Sequence, residues 1–109
     1  MEYKIEIKNT TMILHLEGNM DVHSIHKIEK AFLQEIQKND ADTIIIDLGD
    51  VPFVSSSGLR ILVAALKYTT EQEKSLYLTN LRPAVEKVFE IVDLNTMFSI
   101  RKSVEELIF

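Results

Sequence analysis

The chain has 109 residues, 46% of them hydrophobic, and carries a formal net charge of -5 from 12 Lys and Arg against 17 Asp and Glu. That length suits one domain with one core, and without a basic run along any segment a nucleic-acid backbone is a poor partner. Cysteine is absent, which excludes disulfides, thiolate catalysis and cysteine-ligated zinc and agrees with a reducing compartment.

The opening, Met1-Glu2-Tyr3-Lys4-Ile5-Glu6-Ile7-Lys8, alternates charged and apolar residues, so it reads as a strand and not as the apolar region of a signal peptide. Asn9-Thr10 supply a turn, and Met12, Leu14 and Leu16 alternate again, giving a hairpin. From Asp21 the period changes. Val22, Ile25, Ile28, Phe32 and Ile36 recur at helical steps, with Asp21 or Asn19 as cap. Thr43-Ile44-Ile45-Ile46-Asp47-Leu48 is a β-branched run suited to a central strand buried on both faces. A second helix runs through about Thr70, a strand follows at Ser75–Leu78, and Pro83 starts a third helix with Val85, Val88, Phe89 and Val92 on one face. Phe98 and Ile100 suit a short edge strand, and Ser103 with Glu106 has the spacing of a capping box, which predicts a final helix over Leu107, Ile108 and Phe109. No apolar stretch approaches the roughly 20 residues that span a bilayer. A cytoplasmic domain, meeting membranes only through a partner, is expected.

The predicted architecture is therefore α/β: a mixed, mostly parallel sheet with an N-terminal β-hairpin and about four packed helices. Within it the most informative segment is Ser55-Ser56-Ser57-Gly58-Leu59, where a buried strand hands over to a helix. Free backbone amides and the macrodipole make a helix start an anion site, so a hydroxyl there is well placed to carry a phosphate. Of the three, Ser57 looks best suited to capping. On a helical wheel Leu59, Leu62, Val63 and Leu66 fall on one side and Ile61, Ala64, Ala65 and Tyr68 on the other, with Arg60 and Lys67 between them. Only one side can face the sheet, so the second predicts an exposed apolar stripe for another protein. A helix buried on both sides by its neighbours, or a weak homodimer face, is the alternative.

Leu16-Glu17-Gly18-Asn19-Met20-Asp21, Ile46-Asp47-Leu48 leading through Val51-Pro52-Phe53-Val54 to Ser55-Ser56-Ser57-Gly58-Leu59, and Asn80-Leu81-Arg82-Pro83-Ala84-Val85 together resemble the anti-sigma factor antagonists. These are single-domain proteins of the STAS fold, and the resemblance covers essentially all of residues 1–109. It implies a partner switch. The unmodified protein binds an anti-sigma factor that is also a histidine-kinase-like ATPase and serine kinase, phosphorylation releases it, and a metal-dependent serine phosphatase resets the cycle. The phosphorylated serine of that family lies two residues before the glycine, which implies Ser56, with Ser57 and Ser55 as second choices. Asp21 matches an acidic residue implicated in partner contact, although a helix cap is its other reading. The expected contact set is Asp21, Ser55, Ser57, Gly58, Arg60, Ile61, Ala64, Ala65 and Tyr68. Two positions depart from the family pattern: Ser55 replaces the commonest acid, and Asp93-Leu94 stands where glycine often precedes leucine.

Catalysis is not expected. A serine hydrolase needs a base and an oxyanion hole, whereas His15 alternates with strand residues and His23 and His26 lie on the first helix without triad spacing. The same pair has no HExxH-type pattern around it, so no metal is expected. Asp42, Asp47 and Asp50 read as turn chemistry, and the three glycines do not form a phosphate loop, so no cofactor is expected. Within the binding class, the alternative is a stand-alone STAS module of a signalling scaffold or of a lipid or anion transport system. A neighbouring gene for a kinase-like ATPase or a serine phosphatase would favour the switch, and transport genes the other.

Overall fold

The computed structural model describes residues 1–108, so Phe109 of the predicted final helix lies outside the described residues. Strands β1 (Glu2–Lys8), β2 (Thr11–Glu17), β3 (Thr43–Asp50), β4 (Ser75–Thr79) and β5 (Ser99–Arg101) stand in sequential order in one sheet. Asn9, at φ 55, turns the hairpin so that Lys8 faces Thr11 and Tyr3 faces Leu16. The other three pairings are parallel. Helices α1 (Val22–Lys38), α2 (Ser56–Glu71) and α3 (Pro83–Ile91) make the three crossovers. Because the strands advance in one direction and each crossover is right-handed, all three helices belong on one face of the sheet.

Burial follows from that arrangement. Met12, Leu14 and Leu16 of β2, Ile44, Ile46 and Leu48 of β3, and Leu76 and Leu78 of β4 join Phe32, Ile36, Ile61, Leu62, Ala65, Val85 and Phe89 in the main core. Phe98 lies just before β5 and meets Phe89 edge to face, ring centroids 5.6 Å apart. On the far face Ile13 and Ile45 pack with Val104, Leu107 and Ile108. Ile44, Ile45 and Ile46 are all fully buried, as a central strand covered on both sides requires.

The final helix is a correction. Val104–Glu106 forms a single 3-10 turn without a side-chain cap from Ser103, so three α-helices are present among the described residues instead of about four. A 3-10 period of three places Val104 and Leu107 on the same side, and both dock on the bare sheet face. Asp93 takes the left-handed conformation, φ 58, at the end of α3, where Leu94 N–H donates to Phe89 O and Asp93 N–H to Glu90 O. This is a Schellman closure made without glycine.

Candidate functional site

Beyond the sheet, the chain after β2 and the chain after β3 continue side by side. Gly18 N–H donates to Asp50 O (3.0 Å), Met20 N–H to Phe53 O (2.8 Å) and Ser55 N–H to Met20 O (2.9 Å), with Met20 and Val54 in a parallel bridge. The next residue on each segment is a helix cap. Asp21 accepts from Ser24 N–H at 2.9 Å to start α1, and that bond holds its carboxyl below the ordinary range. Ser55 accepts from Gly58 N–H at 3.3 Å to start α2, while its own hydroxyl donates to Met20 O at 2.6 Å. Two helix N-termini therefore open next to each other.

Gly58 makes this junction sterically possible. A Cβ there would lie 2.7 Å from Met20 Cβ and 3.0 Å from Met20 O, so α2 can seat against the Met20 segment only through a residue without a side chain. The three serines are now distinguished. Ser55, not Ser57, is the cap and is half-buried; Ser56 is the first residue of α2 and is exposed; Ser57 is half-buried. The amides of Gly58 and Leu59 are occupied by the Ser55 side chain and carbonyl. The remaining amides of the first turn, on Ser56 and Ser57, are the groups nearest to a charge on Ser56.

The predicted outer stripe on α2 is not there. Ile61 and Ala65 are 1% and 0% exposed and belong to the core, and Gly58 is buried. Tyr68 leans on α1, donating from its hydroxyl to Gln37 O at 3.2 Å. The wheel's two apolar sides are both flanks, with the sheet-facing line of Gly58, Leu62, Ala65 and Thr69 between them. Neighbouring elements cover both flanks. The solvent line instead runs through Ser56, Arg60 and Lys67, with Val63 and Ala64 partly exposed beside it. Arg60 is tied to α1 by Glu29 at 2.6 Å.

Two apolar residues that the sequence reading did not assign to the site rim it. Phe53 and Val22 are 51% and 59% exposed, one just before Val54 and the other just after Asp21. The periodicity predicts Val22 on the buried stripe of α1, but as the first residue of the helix it is exposed. Pro52 was the available signal for Phe53, since proline ends a strand and leaves the next aromatic residue outside it.

A second polar cluster lies on the far sheet face. His15 Nδ1 is 2.7 Å from Asp47 Oδ2 and Nε2 is 3.1 Å from Glu6 Oε1. Asp47 Oδ1 also accepts from Asn80 Nδ2 and Gly49 N–H. Burial works against a charged imidazole, but the bonds to Asp47 and Glu6 prevail and raise the His15 pKa. Burial likewise opposes the Asp47 carboxylate, and its donors Asn80, Gly49 and His15 prevail to lower its pKa. Asp47 is thus a strand residue in a satisfied network and not a turn residue. Beside it a concavity of about 520 Å³ is lined by Glu2, Lys4, His15 and Asp50 among others and by none of the three serines. Among the described residues no group of three or more His, Asp or Glu is placed to hold a metal.

The STAS domain family model matches residues 2–107. The chain belongs to the STAS domain family. Among curated STAS relatives, the Bordetella bronchiseptica protein BtrV is 28% identical over 94 residues, covering 86% of this chain and 80% of its own. A Staphylococcus aureus protein named anti-sigma-B factor antagonist is 25% identical over 88 residues, covering 81% of each. In structure, the STAS domain here matches the anti-sigma factor antagonist SpoIIAA in its unphosphorylated form with a TM-score of 0.80 at 24% identity, covering 98% of this chain and 93% of that one. The phosphorylated form of SpoIIAA from Bacillus matches with a TM-score of 0.73 at 23% identity, covering 98% and 96%. These likenesses to solved structures establish the fold.

Proposed function

We propose that this STAS domain is an anti-sigma factor antagonist that works in the cytoplasm as a partner switch, with Ser56 as the residue that a protein serine kinase phosphorylates. The observation that carries the reading is the separation of the three hydroxyls. Ser55 is engaged at the junction, Ser57 is half-buried, and Ser56 stands exposed on the first turn of α2. The S. aureus relative named for the same role supports it, as does the existence of a phosphorylated SpoIIAA structure on the same fold. No helix among the described residues is long and apolar enough to cross a membrane.

The proposed contact surface is centred on the paired helix starts. Asp21, Ser57, Arg60 and Ala64 stay from the predicted face, and Val22, Phe53, Ser56 and Val63 take the place of the buried Ile61 and Ala65. In the unmodified state the Phe53 and Val22 side chains bury against the anti-sigma factor. A phosphate on Ser56 adds about two negative charges at neutral pH, beside the Asp21 cap and at the edge of that apolar rim. Docking would then desolvate the phosphate, and the partner is released. The domain serves as ligand and substrate, and a serine phosphatase restores it.

Incubation with the cognate anti-sigma kinase and ATP, followed by peptide mass mapping, should place one phosphate on Ser56. Calorimetry of the Ser56→Asp protein with the kinase should show at least about a tenfold loss of affinity, equivalent to about 1.4 kcal/mol. Phosphate on Ser55 or Ser57 alone, or unchanged affinity of the modified protein, would overturn the assignment.

A further inference from the structure

Strand β1 is a sheet edge seven residues long. On its helix-bearing face Ile5 and Ile7 are 39% and 54% exposed, although the β2 residues opposite them, Leu14 and Met12, are fully buried. On the other face Glu2, Lys4, Glu6 and Lys8 alternate in sign. Edge strands are commonly protected by charge, by proline or by a bulge. This one has no proline and pairs with β2 in unbroken register from Glu2 to Lys8, so charge is its protection, and the pattern of charge decides what it admits.

We infer that β1 pairs antiparallel with β1 of a second copy of this chain, about a two-fold axis through Ile5, to form one continuous sheet. In that register Glu2 faces Lys8 of the second copy, Lys4 faces Glu6, Tyr3 faces Ile7 and Ile5 faces its own equivalent. Every charged residue meets its opposite, and every apolar residue meets an apolar one. Sliding the register by one residue sets charged side chains against apolar ones. Sliding it by two, which moves the axis to Lys4 or Glu6, puts Glu2 against Glu6 and Lys4 against Lys4, or Lys4 against Lys8 and Glu6 against Glu6. Opposite charges directly across a strand pair attract and like charges repel, so one register is selected and its neighbours are rejected. A two-fold contact uses the same patch twice, as closed dimers require. A single strand pair is much smaller than the standard stable interface of about 1,600 Å², so the dimer is weak, dependent on concentration, and weakened by salt.

Since the chain lacks cysteine, one introduced thiol tests the register. Oxidation of Ile5→Cys should give a disulfide dimer readily, whereas Ile7→Cys, whose mate is Tyr3, should crosslink slowly. Sedimentation equilibrium of Glu2→Lys and of Lys8→Glu should each show dimerisation weakened by about tenfold, and the double variant E2K/K8E should recover it. That pair leaves the Glu6 contact with His15 in place, and circular dichroism checks the fold of each variant. A parent chain that stays monomeric at millimolar concentration would overturn the inference. So would equal crosslinking at Ile5→Cys and Ile7→Cys, or a double variant no better than the singles.

Discussion

The Ser55 hydroxyl donates to Met20 O and accepts from Gly58 N–H, so it joins two segments besides capping a helix. Replacing it with alanine leaves the Gly58 amide without its side-chain acceptor and takes from Met20 O one of its two donors, the Ser55 N–H remaining. Ser55→Ala should lower unfolding free energy by about 1–2 kcal/mol, read as a shift in urea midpoint. Ser56→Ala should change stability by less than about 0.5 kcal/mol while abolishing phosphate incorporation. Adjacent residues of the same type are thereby assigned separate roles by one measurement each. His15 offers a pH test. Its folded pKa is raised above the ordinary 6.5, so its contribution is fully present below that value and is lost as pH rises through the folded pKa. Asp47, lowered from 3.8, contributes above that value and loses its contribution as pH falls through its folded pKa. Urea midpoints should therefore decline in the parent as pH rises above about 6.5, and His15→Gln should flatten that slope. Glu6 and Asp47 face the imidazole, with Lys4 opposite it in the strand register, and the two carboxyls, both lowered, remain charged throughout this rise. An unchanged slope in His15→Gln would assign the titration elsewhere.

At the level of elements, α2 is held by a close approach at its start and by burial along both flanks. Alanine normally stabilises a helix relative to glycine by about 0.5–1 kcal/mol. At Gly58 the added Cβ meets Met20 Cβ at 2.7 Å and Val54 Cγ1 at 3.1 Å, and neither is the free end of a flexible side chain. The steric cost exceeds the propensity gain. Gly58→Ala should be destabilising by about 1–3 kcal/mol, with amide chemical-shift changes concentrated at Met20–Ser24. A stabilised Gly58→Ala protein would show that the junction is loose. The glycine and the serine order were legible in the sequence as a motif. Which serine caps the helix was not, because Ser55 is selected by its bond to Met20, a residue 35 positions away.

In the whole molecule, two cores of unequal size share one sheet. Three helices cover one face, and a 3-10 turn with the residues after it covers part of the other. Phe89, fully buried and edge-on to Phe98, should cost about 3–5 kcal/mol on replacement by alanine. Val104→Ala, which thins only the smaller layer, should cost about 1–2 kcal/mol. Comparing the two by urea denaturation tests whether the helical side carries most of the stability, and equal losses would contradict it.

The sequence by itself determined the order of the five strands and the three α-helices between them, the central position of the Ile44–Ile46 run, a cap at Asp21 or Asn19, and the serine run as a helix start. These depend on periodicity of two or 3.6 and on local turn and cap chemistry, all of which act over a few residues. Tertiary structure decided that both apolar sides of α2 are covered, which buries Ile61 and Ala65, two residues of the stripe expected to be exposed. It also brought His15, Asp47 and Asn80 together from three strands or their ends, and left Phe53 and Val22 exposed beside Ser56. A helical wheel gives angles around an axis. How many of those angles are covered depends on where other elements pack, and that is a property of the assembled sheet and its crossovers.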